Sequence, residues 1–213
     1  TLFPAMFVLI SLLIAVLMRS AWATVATLII VTASILATLG IGGWLGMFIS
    51  IATVNVPVII MTLAIADSVH VISGMRYYMQ HGDEKTQAIT KSIKLNTGPI
   101  VMTSVTTAIG FLTLNFAEVP ILTDLGNLVA IGVMIACFFS LVLLPAILSK
   151  LPIQFAALAQ NEQSRYWDMV ARFTIAKSTP ILLVGALVIV LSAVWAQKNE
   201  LNDIAINYFN KDN

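Results

Sequence analysis

The chain has 213 residues, of which 59% are apolar and only 10% are charged. An average soluble domain is about 45–50% apolar and about 25% charged, so this composition excludes a soluble globular enzyme and a disordered chain. It also excludes a nucleic-acid-binding domain, which would need clustered Lys and Arg, and the net charge of +1 gives no electrostatic argument for a partner. A single cysteine excludes a disulfide framework and any cysteine-based metal site. The remaining class is a polytopic membrane protein.

Long segments without charged residues predict membrane-spanning helices, because a hydrocarbon core about 30 Å thick needs about 20 apolar residues. Six spans are predicted, lettered A to F, and they cover about 3–18, 22–42, 50–75, 95–116, 122–148 and 179–197. Only helices satisfy their own backbone hydrogen bonds in single apolar segments of this length. We therefore predict an all-α polytopic membrane helix bundle with six transmembrane helices.

The positions of Lys and Arg predict the orientation of the chain in the membrane. Nine of the eleven basic residues are Arg19 or lie in the C–D and E–F connections. Cytoplasmic loops carry an excess of Lys and Arg, so we expect both chain ends to be extracytoplasmic, in a bacterial plasma (inner) membrane. The polar residues 199–213 predict the start of a truncated extracytoplasmic domain, and we expect the chain to be a fragment of a larger protein.

The connection between spans E and F, residues 150–177, is predicted to be a cytoplasmic amphipathic helix in the membrane interface. Its aromatic and aliphatic residues recur at roughly helical spacing, with polar residues between them, at Phe155, Leu158, Trp167, Val170 and Phe173. The predicted organisation is then a five-span bundle over 1–149, this helix, the sixth span over 178–198, and the truncated domain. Membrane lipids are the expected partners of the bundle and of this helix.

Asp67 is the one acid well inside a predicted span. It precedes Arg76, at the cytoplasmic end of span C, by nine residues, or about 13 Å of helix, and therefore lies near the bilayer midplane. An ionised carboxylate there costs at least about 2.5–3.5 kcal/mol, so such acids usually face a cavity or the bundle interior and act in ion or proton pathways. The alternative is an acid that only bonds a neighbouring hydroxyl or pairs with a base.

His70 follows Asp67 by three residues, which places it on the same face of a helix. It could relay a proton to Asp67, or it could be a neutral, hydrogen-bonded histidine of the core. Two possible ligands at this spacing are too few for a metal site, so we predict none.

Span D carries hydroxyl side chains that could hydrogen-bond Asp67, at Thr103, Thr106 and Thr107. Thr103, Thr107 and Gly110 stack on one face, and the alternative is an ordinary small-residue packing face. Cys137 in span E is interpreted as a small packing residue. The sequence has no phosphate-binding loop, zinc-protease motif or Ser/His/Asp nucleophile set, so we predict that it is not an enzyme.

Three segments of the sequence carry a family resemblance: LAIADSVHVISGMRYY in span C, TSVTTAIGFLTLNFAEVPILTDLG through span D, and AIGVMIACFFSLVLLPAIL in span E. Together they resemble the resistance–nodulation–division (RND) transporter superfamily, in its branch with MMPL and sterol-sensing-type domains. The resemblance implies twelve spans in two repeats, with extracytoplasmic porter domains after the first and seventh. Spans A to F would then be the second to seventh.

The resemblance implies export of hydrophobic or amphiphilic molecules, such as lipids and drugs, driven by the proton-motive force. Asp67 would match the proton-carrying acid of the family's fourth span, and Ser68 follows it where many drug exporters carry a second acid. Ser68 and His70 complete the expected proton relay, with Thr103, Thr106 and Thr107 as a supporting polar face. A proton gradient, rather than a cofactor, would supply the energy.

The expected partners are the missing second repeat and porter domains, and the sequence leaves homo-oligomerisation open. Two other functions also stay open at this point. One is a sterol-sensing-like module that binds lipid and regulates without transport. The other is an accessory subunit of protein export with a similar helix bundle.

Overall fold

The computed structural model describes residues 10, 12, 14–16, 18, 20–47, 50, 52–117, 119–153, 155 and 162–196. Within these residues every regular element is helical, which confirms the all-α prediction. The chain divides into two compact units, Thr1–Ala157 and Leu158–Asn213.

The first unit is a bundle of long helices. They are α1 (Ala21–Trp44), α2 (Val56–Gln80), α3 (Lys85–Leu112), α4 (Pro120–Phe138) and α5 (Leu144–Lys150), with a π-helical segment, Phe139–Leu143, between α4 and α5. Short 3₁₀ turns precede α2 at Thr53–Asn55 and follow α3 at Thr113–Phe116. The second unit contains α6 (Glu162–Ala176) and α7 (Ser178–Ala196).

Five of the described helical stretches are long and apolar enough to cross a membrane. They are Ala21–Trp44, Thr53–Gln80, Lys85–Phe116, Pro120–Lys150 and Ser178–Trp195, and they correspond to spans B to F. Most of span A lies outside the described residues, although its described residues 10, 12, 14–16 and 18 are helical. The structure therefore has a candidate membrane-spanning helix at five of the six predicted spans.

The helix ends follow from local sequence. The Ser20 hydroxyl accepts a hydrogen bond from the Ala23 N–H at 3.4 Å and caps α1. Pro57 and Pro120 lie in the first turns of α2 and α4, where the N–H that proline lacks has no intrahelical partner. Gly82, at φ +96°, turns the chain between α2 and α3, in a conformation that costs glycine little.

Two apolar clusters fill the bundle. The first, cluster I, combines the N-terminal half of α2 with the middle of α4 and contains Val31, Val56, Ile60, Met61, Ala64, Leu128, Val129, Val133 and Ala136. The second, cluster II, includes Ile30, Val71, Ile72, Met75, Ile100, Leu144 and Leu148. Both α2 and the α4–α5 helix pass from cluster I to cluster II, so they run parallel.

Gly132 sets how closely three helices of the bundle approach one another. A Cβ atom at this position would lie 2.9 Å from Cγ2 of Thr38 on α1 and closer still to Cδ1 of Ile60 on α2. Small residues at helix interfaces let backbones come together in a membrane. The absence of a side chain at Gly132 therefore fixes α4 against both α1 and α2.

The connection over 150–177 is only partly helical. Leu151–Ile153 and Phe155 are outside any helix, Ile153 is buried, and Lys85 donates to the carbonyl oxygen of Ser149 at 2.8 Å. The start of the connection is thus held against the bundle, and the helix itself begins at Glu162. The location of α6 in the membrane interface stays a prediction.

Candidate functional site

Asp67 lies in the buried stripe of α2. Its side chain is 7% exposed, and it falls between Ala64 of cluster I and Val71 of cluster II. Residues three and four apart share a helix face, so the spacing that buries Ala64 and Val71 also turns Asp67 into the bundle. The predicted interior position of this acid is what the structure shows.

The Asp67 carboxyl has no protein partner in the described part of the chain. The ion pair found there joins Lys91 to Asp83 at 2.7 Å and is far along the helices from Asp67, and no described residue hydrogen-bonds Asp67. The alternative of an acid that only pairs with a base or bonds a hydroxyl therefore receives no support from these residues. A buried carboxyl without a compensating cation pays the full cost of desolvation whenever it is ionised.

Ser104 on α3 and Cys137 on α4 are the buried polar neighbours of Asp67 on the other helices. Ser104 is 4% exposed and Cys137 is 5% exposed. The Cys137 thiol lies near both the Ser104 side chain and the Asp67 carboxylate. Three helices thus meet around Asp67 with polar side chains.

Ser68 and Ser140 lie at the same depth. Ile60 of α2 contacts α4 at Gly132. Along these parallel helices, Ser68 follows Ile60 by eight residues and Ser140 follows Gly132 by eight residues. At 1.5 Å per residue both are displaced by about 12 Å, so they are level with each other. We name Asp67, Ser68, Ser104, Cys137 and Ser140 the polar layer.

Ser68 is internally satisfied, whereas His70 faces outward. The buried Ser68 hydroxyl donates to the Ala64 carbonyl oxygen at 2.7 Å. The His70 side chain is exposed, and the His70 backbone carbonyl oxygen accepts a hydrogen bond from Asn96 Nδ2 at 3.3 Å. His70 is therefore not the buried core histidine that one interpretation proposed.

The predicted threonine face of α3 does not reach Asp67. Thr103 and Thr106 are exposed and Thr107 is half-buried. The Thr103 hydroxyl donates to the Pro99 carbonyl oxygen at 3.0 Å, and the Thr106 hydroxyl donates to that of Met102 at 2.8 Å. The expected hydrogen bonds to Asp67 are absent from the described residues.

The side chain of α3 that does reach the site is Ser104, which the prediction did not select. Apart from Ile89, the buried side chains of α3 fall on one four-residue repeat, in which Asn96 is half-buried: Ala88, Ser92, Ile100, Ser104 and Ala108. This regular spacing is a signal in the sequence that identifies the buried face of α3 and excludes Thr103 and Thr106 from it. Gly110 lies outside this face, and a Cβ there would meet nothing within 4 Å.

Comparison with known proteins identifies a family and a relative. The family model described as "MMPL family" matches residues 1–181. A protein of Methanocaldococcus jannaschii named "Putative membrane protein MJ1562" is 28% identical over 140 residues, which are 65% of this chain and 36% of that protein. The chain thus spans about a third of the length of this relative. Together with the apolar helices, these similarities establish an integral membrane protein.

Proposed function

The chain belongs to the MMPL family, and on that premise we propose that it is the membrane part of an exporter driven by the proton-motive force. The cargo is hydrophobic or amphiphilic, and Asp67 is the intramembrane proton carrier. We further propose that it has no enzymatic activity of its own and needs no cofactor, because a proton gradient supplies the energy.

The observation that carries this proposal is a buried carboxyl that lies between two apolar clusters and has no partner among the residues that the structure describes. When protonated, Asp67 is neutral and compatible with its surroundings, whereas the ionised form is costly. Each change of protonation therefore changes the relative free energies of different helix arrangements. A group that favours one of two conformations in this way can couple proton movement to a conformational cycle.

The exposed polar side chains of α2 and α3 support a second proposal, about the partner of this bundle. His70, Thr103 and Thr106 are exposed on helices that are long and apolar enough to span a membrane. A histidine facing lipid is costly, and ionisable residues in membrane helices almost always face other protein or water. We propose that the second repeat of the full-length protein covers this face and that His70 assists the relay there, while Ser68 assists it from the buried side of α2. Porter domains would select the substrate.

The direct test of the proton carrier is Asp67→Asn in the full-length protein, reconstituted in proteoliposomes with an imposed proton gradient. Asparagine keeps the shape and hydrogen-bonding capacity of the side chain but cannot titrate. We expect gradient-driven efflux to be lost while expression and thermal stability stay at the wild-type level or rise, because a buried charge is removed. Asp67→Glu should keep part of the activity, and His70→Gln should have a smaller effect than Asp67→Asn.

The matched control is Asp83→Asn, which removes an acid at the end of the same helix where it pairs with Lys91. Surface ion pairs contribute about 0–1 kcal/mol, so this variant should transport normally. Wild-type efflux by Asp67→Asn would eliminate the proton-carrier role. Loss of folding together with loss of efflux would make Asp67 a structural residue.

We propose that the α2–α3 turn lies in the cytoplasm of a bacterial cell and that the end of α1 lies outside it, as the distribution of Lys and Arg indicates. Cysteines placed at the exposed positions Gly43 and Glu84, in a chain with Cys137→Ala, should react from opposite sides of intact cells. An impermeant maleimide should label position 43 only. Equal labelling of both positions would disprove this orientation.

A specific observation favours the lipid-binding alternative as a second candidate function. An open apolar groove of about 780 Å³ is lined by residues of α1, α3 and α4 that include Ile41, Leu112, Met134 and Phe138. Apolar concave surfaces of this size suit small hydrophobic ligands. A regulatory lipid-binding module would keep binding a photoreactive sterol or lipid probe after Asp67→Asn and would show no proton-dependent efflux in the wild type.

A further inference from the structure

Ser140 carries the buried side-chain polar atom that has no hydrogen-bond partner in the described part of the chain. Its side chain is 0% exposed. Buried polar groups in folded proteins are nearly always paired, and an orphan among them requires an explanation such as a bound water or ion. The Ser140 hydroxyl is therefore a place where the bundle offers hydrogen-bonding capacity to something other than protein.

The contrast with other buried hydroxyls shows that this is a local property of Ser140. The usual solution in these helices is donation to the carbonyl oxygen four residues earlier, as seen for Thr27, Ser34, Thr38 and Ser68. Ser140 lies in the π-helical segment, where the backbone spacing changes and Leu144 N–H donates to the Phe139 carbonyl oxygen. Single π-helical turns inside α-helices occur frequently at functional sites.

The position of Ser140 points to Asp67 as the other half of the site. The π-helical segment packs against α2 and α1, and Ser140 is level with Ser68, the residue next to Asp67. Two buried groups of the polar layer, the Asp67 carboxyl and the Ser140 hydroxyl, thus lack partners among the described residues at one depth of the bundle. Buried waters typically make two to four hydrogen bonds to groups that are otherwise unsatisfied.

We propose that Ser140 and Asp67 together bind a water molecule, and that this water is the immediate proton acceptor and donor of Asp67. The water site is a binding site in its own right, whereas the role of the water in proton transfer rests on the proposed function. On release, the carboxyl O–H bond breaks, its electron pair stays on the carboxylate, and the proton joins the water as hydronium. Loading is the reverse, with the water regenerated as hydronium gives up its proton.

Infrared difference spectroscopy of the full-length protein in liposomes tests the site without relying on transport. The Asp67 carbonyl band is assigned by its loss in Asp67→Asn. In Ser140→Ala the band should shift to higher wavenumber, since the carboxyl loses a hydrogen-bonded water. Exchange of the carboxyl proton in D₂O should also slow at least about tenfold, because positioned donors and acceptors contribute about 100-fold or more to proton transfer.

The matched control is Ser34→Ala, which removes a buried hydroxyl that bonds only its own helix and should leave the Asp67 band unchanged. Ser140→Thr keeps a hydroxyl and should restore the wild-type band if Ser140→Ala shifts it. Equal spectra and equal exchange rates for wild type and Ser140→Ala would overturn the water site, and so would a band shift on replacing K⁺ by Na⁺, which would identify a bound sodium ion instead. If Asp67→Asn transports normally while Ser140→Ala shifts the band, the proton carrier fails and the binding site stands.

Discussion

The buried hydroxyls of α1 and the polar layer are two ways of placing polar side chains inside the same bundle. On α1, Thr27, Ser34 and Thr38 are fully buried, and each donates to a carbonyl oxygen of its own helix. In the polar layer, Asp67 and Ser140 are buried without such partners in the described residues. Burial of a polar group alone therefore does not support a function in this protein, and the proposed roles of Asp67 and Ser140 rest on burial without a partner.

The physical reason for the difference lies in what each group needs from its surroundings. A hydroxyl can satisfy itself by donating to the preceding turn of its own helix, at little cost and without another helix. An ionised carboxylate has no proton to donate, and its charge makes an unpaired state expensive. Only a group that gains something else in return, such as an exchangeable proton or a bound water, is expected to remain in that state.

The largest effect on stability is expected at Gly132, where α4 closely approaches both α1 and α2. Both the buried hydroxyls of α1 and the polar layer depend on this contact. Gly132→Leu would force its side chain into Thr38 of α1 and Ile60 of α2 and separate the helices that hold the polar layer. Overpacking of this kind costs about 1–3 kcal/mol or more, so the full-length protein should melt several degrees lower in a detergent-based thermal shift assay.

The control for that variant is Gly40→Leu, because a side chain at Gly40 meets nothing within 4 Å. It should melt within about 1 °C of the wild type, which corresponds to a few tenths of a kcal/mol for a domain of 150–250 residues. If both leucine variants melt alike, the close packing around Gly132 does not stabilise the bundle.

A smaller effect on stability and transport is expected when one of the self-bonded hydroxyls of α1 is removed. Thr38→Val keeps the shape of the side chain and removes only a hydroxyl that bonds the Ser34 carbonyl oxygen at 2.7 Å. A typical intramolecular hydrogen bond contributes about 0.5–1.5 kcal/mol net, and proton-driven efflux should stay within about twofold of the wild type, a difference of under 0.5 kcal/mol. A loss of efflux comparable to that of Asp67→Asn would mean that self-bonded hydroxyls also take part in transport.

Much of this fold could be predicted from the sequence, because crossing a membrane requires long uncharged segments whatever the tertiary structure. The gap in charged residues between Arg19 and Asp67 already defined span B and most of span C. Asp67 could equally be selected from the sequence, since a lone acid far from the ends of an apolar helix costs free energy wherever its helix packs.

The neighbours of Asp67 were harder to predict from the sequence, because they depend on how the helices are aligned with one another. Span D offers several hydroxyls, and the prediction selected Thr103 and Thr106, whereas the structure buries Ser104 and leaves those two exposed. The four-residue spacing of small and apolar side chains in α3 could have identified Ser104. Nothing in the local sequence shows that the π-helical segment deprives Ser140 of a partner, because that follows from the backbone itself.

The most direct test of the central claim is chemical modification of Asp67 in the wild-type, full-length protein. A hydrophobic carbodiimide reacts with protonated carboxyls inside membranes, and mass spectrometry of the digested protein locates and quantifies the adduct. We predict an adduct on Asp67 that diminishes as pH rises, with proton-driven efflux lost in proportion to the fraction modified. Full efflux from protein that is completely modified at Asp67 would show that this carboxyl does not carry the transported proton.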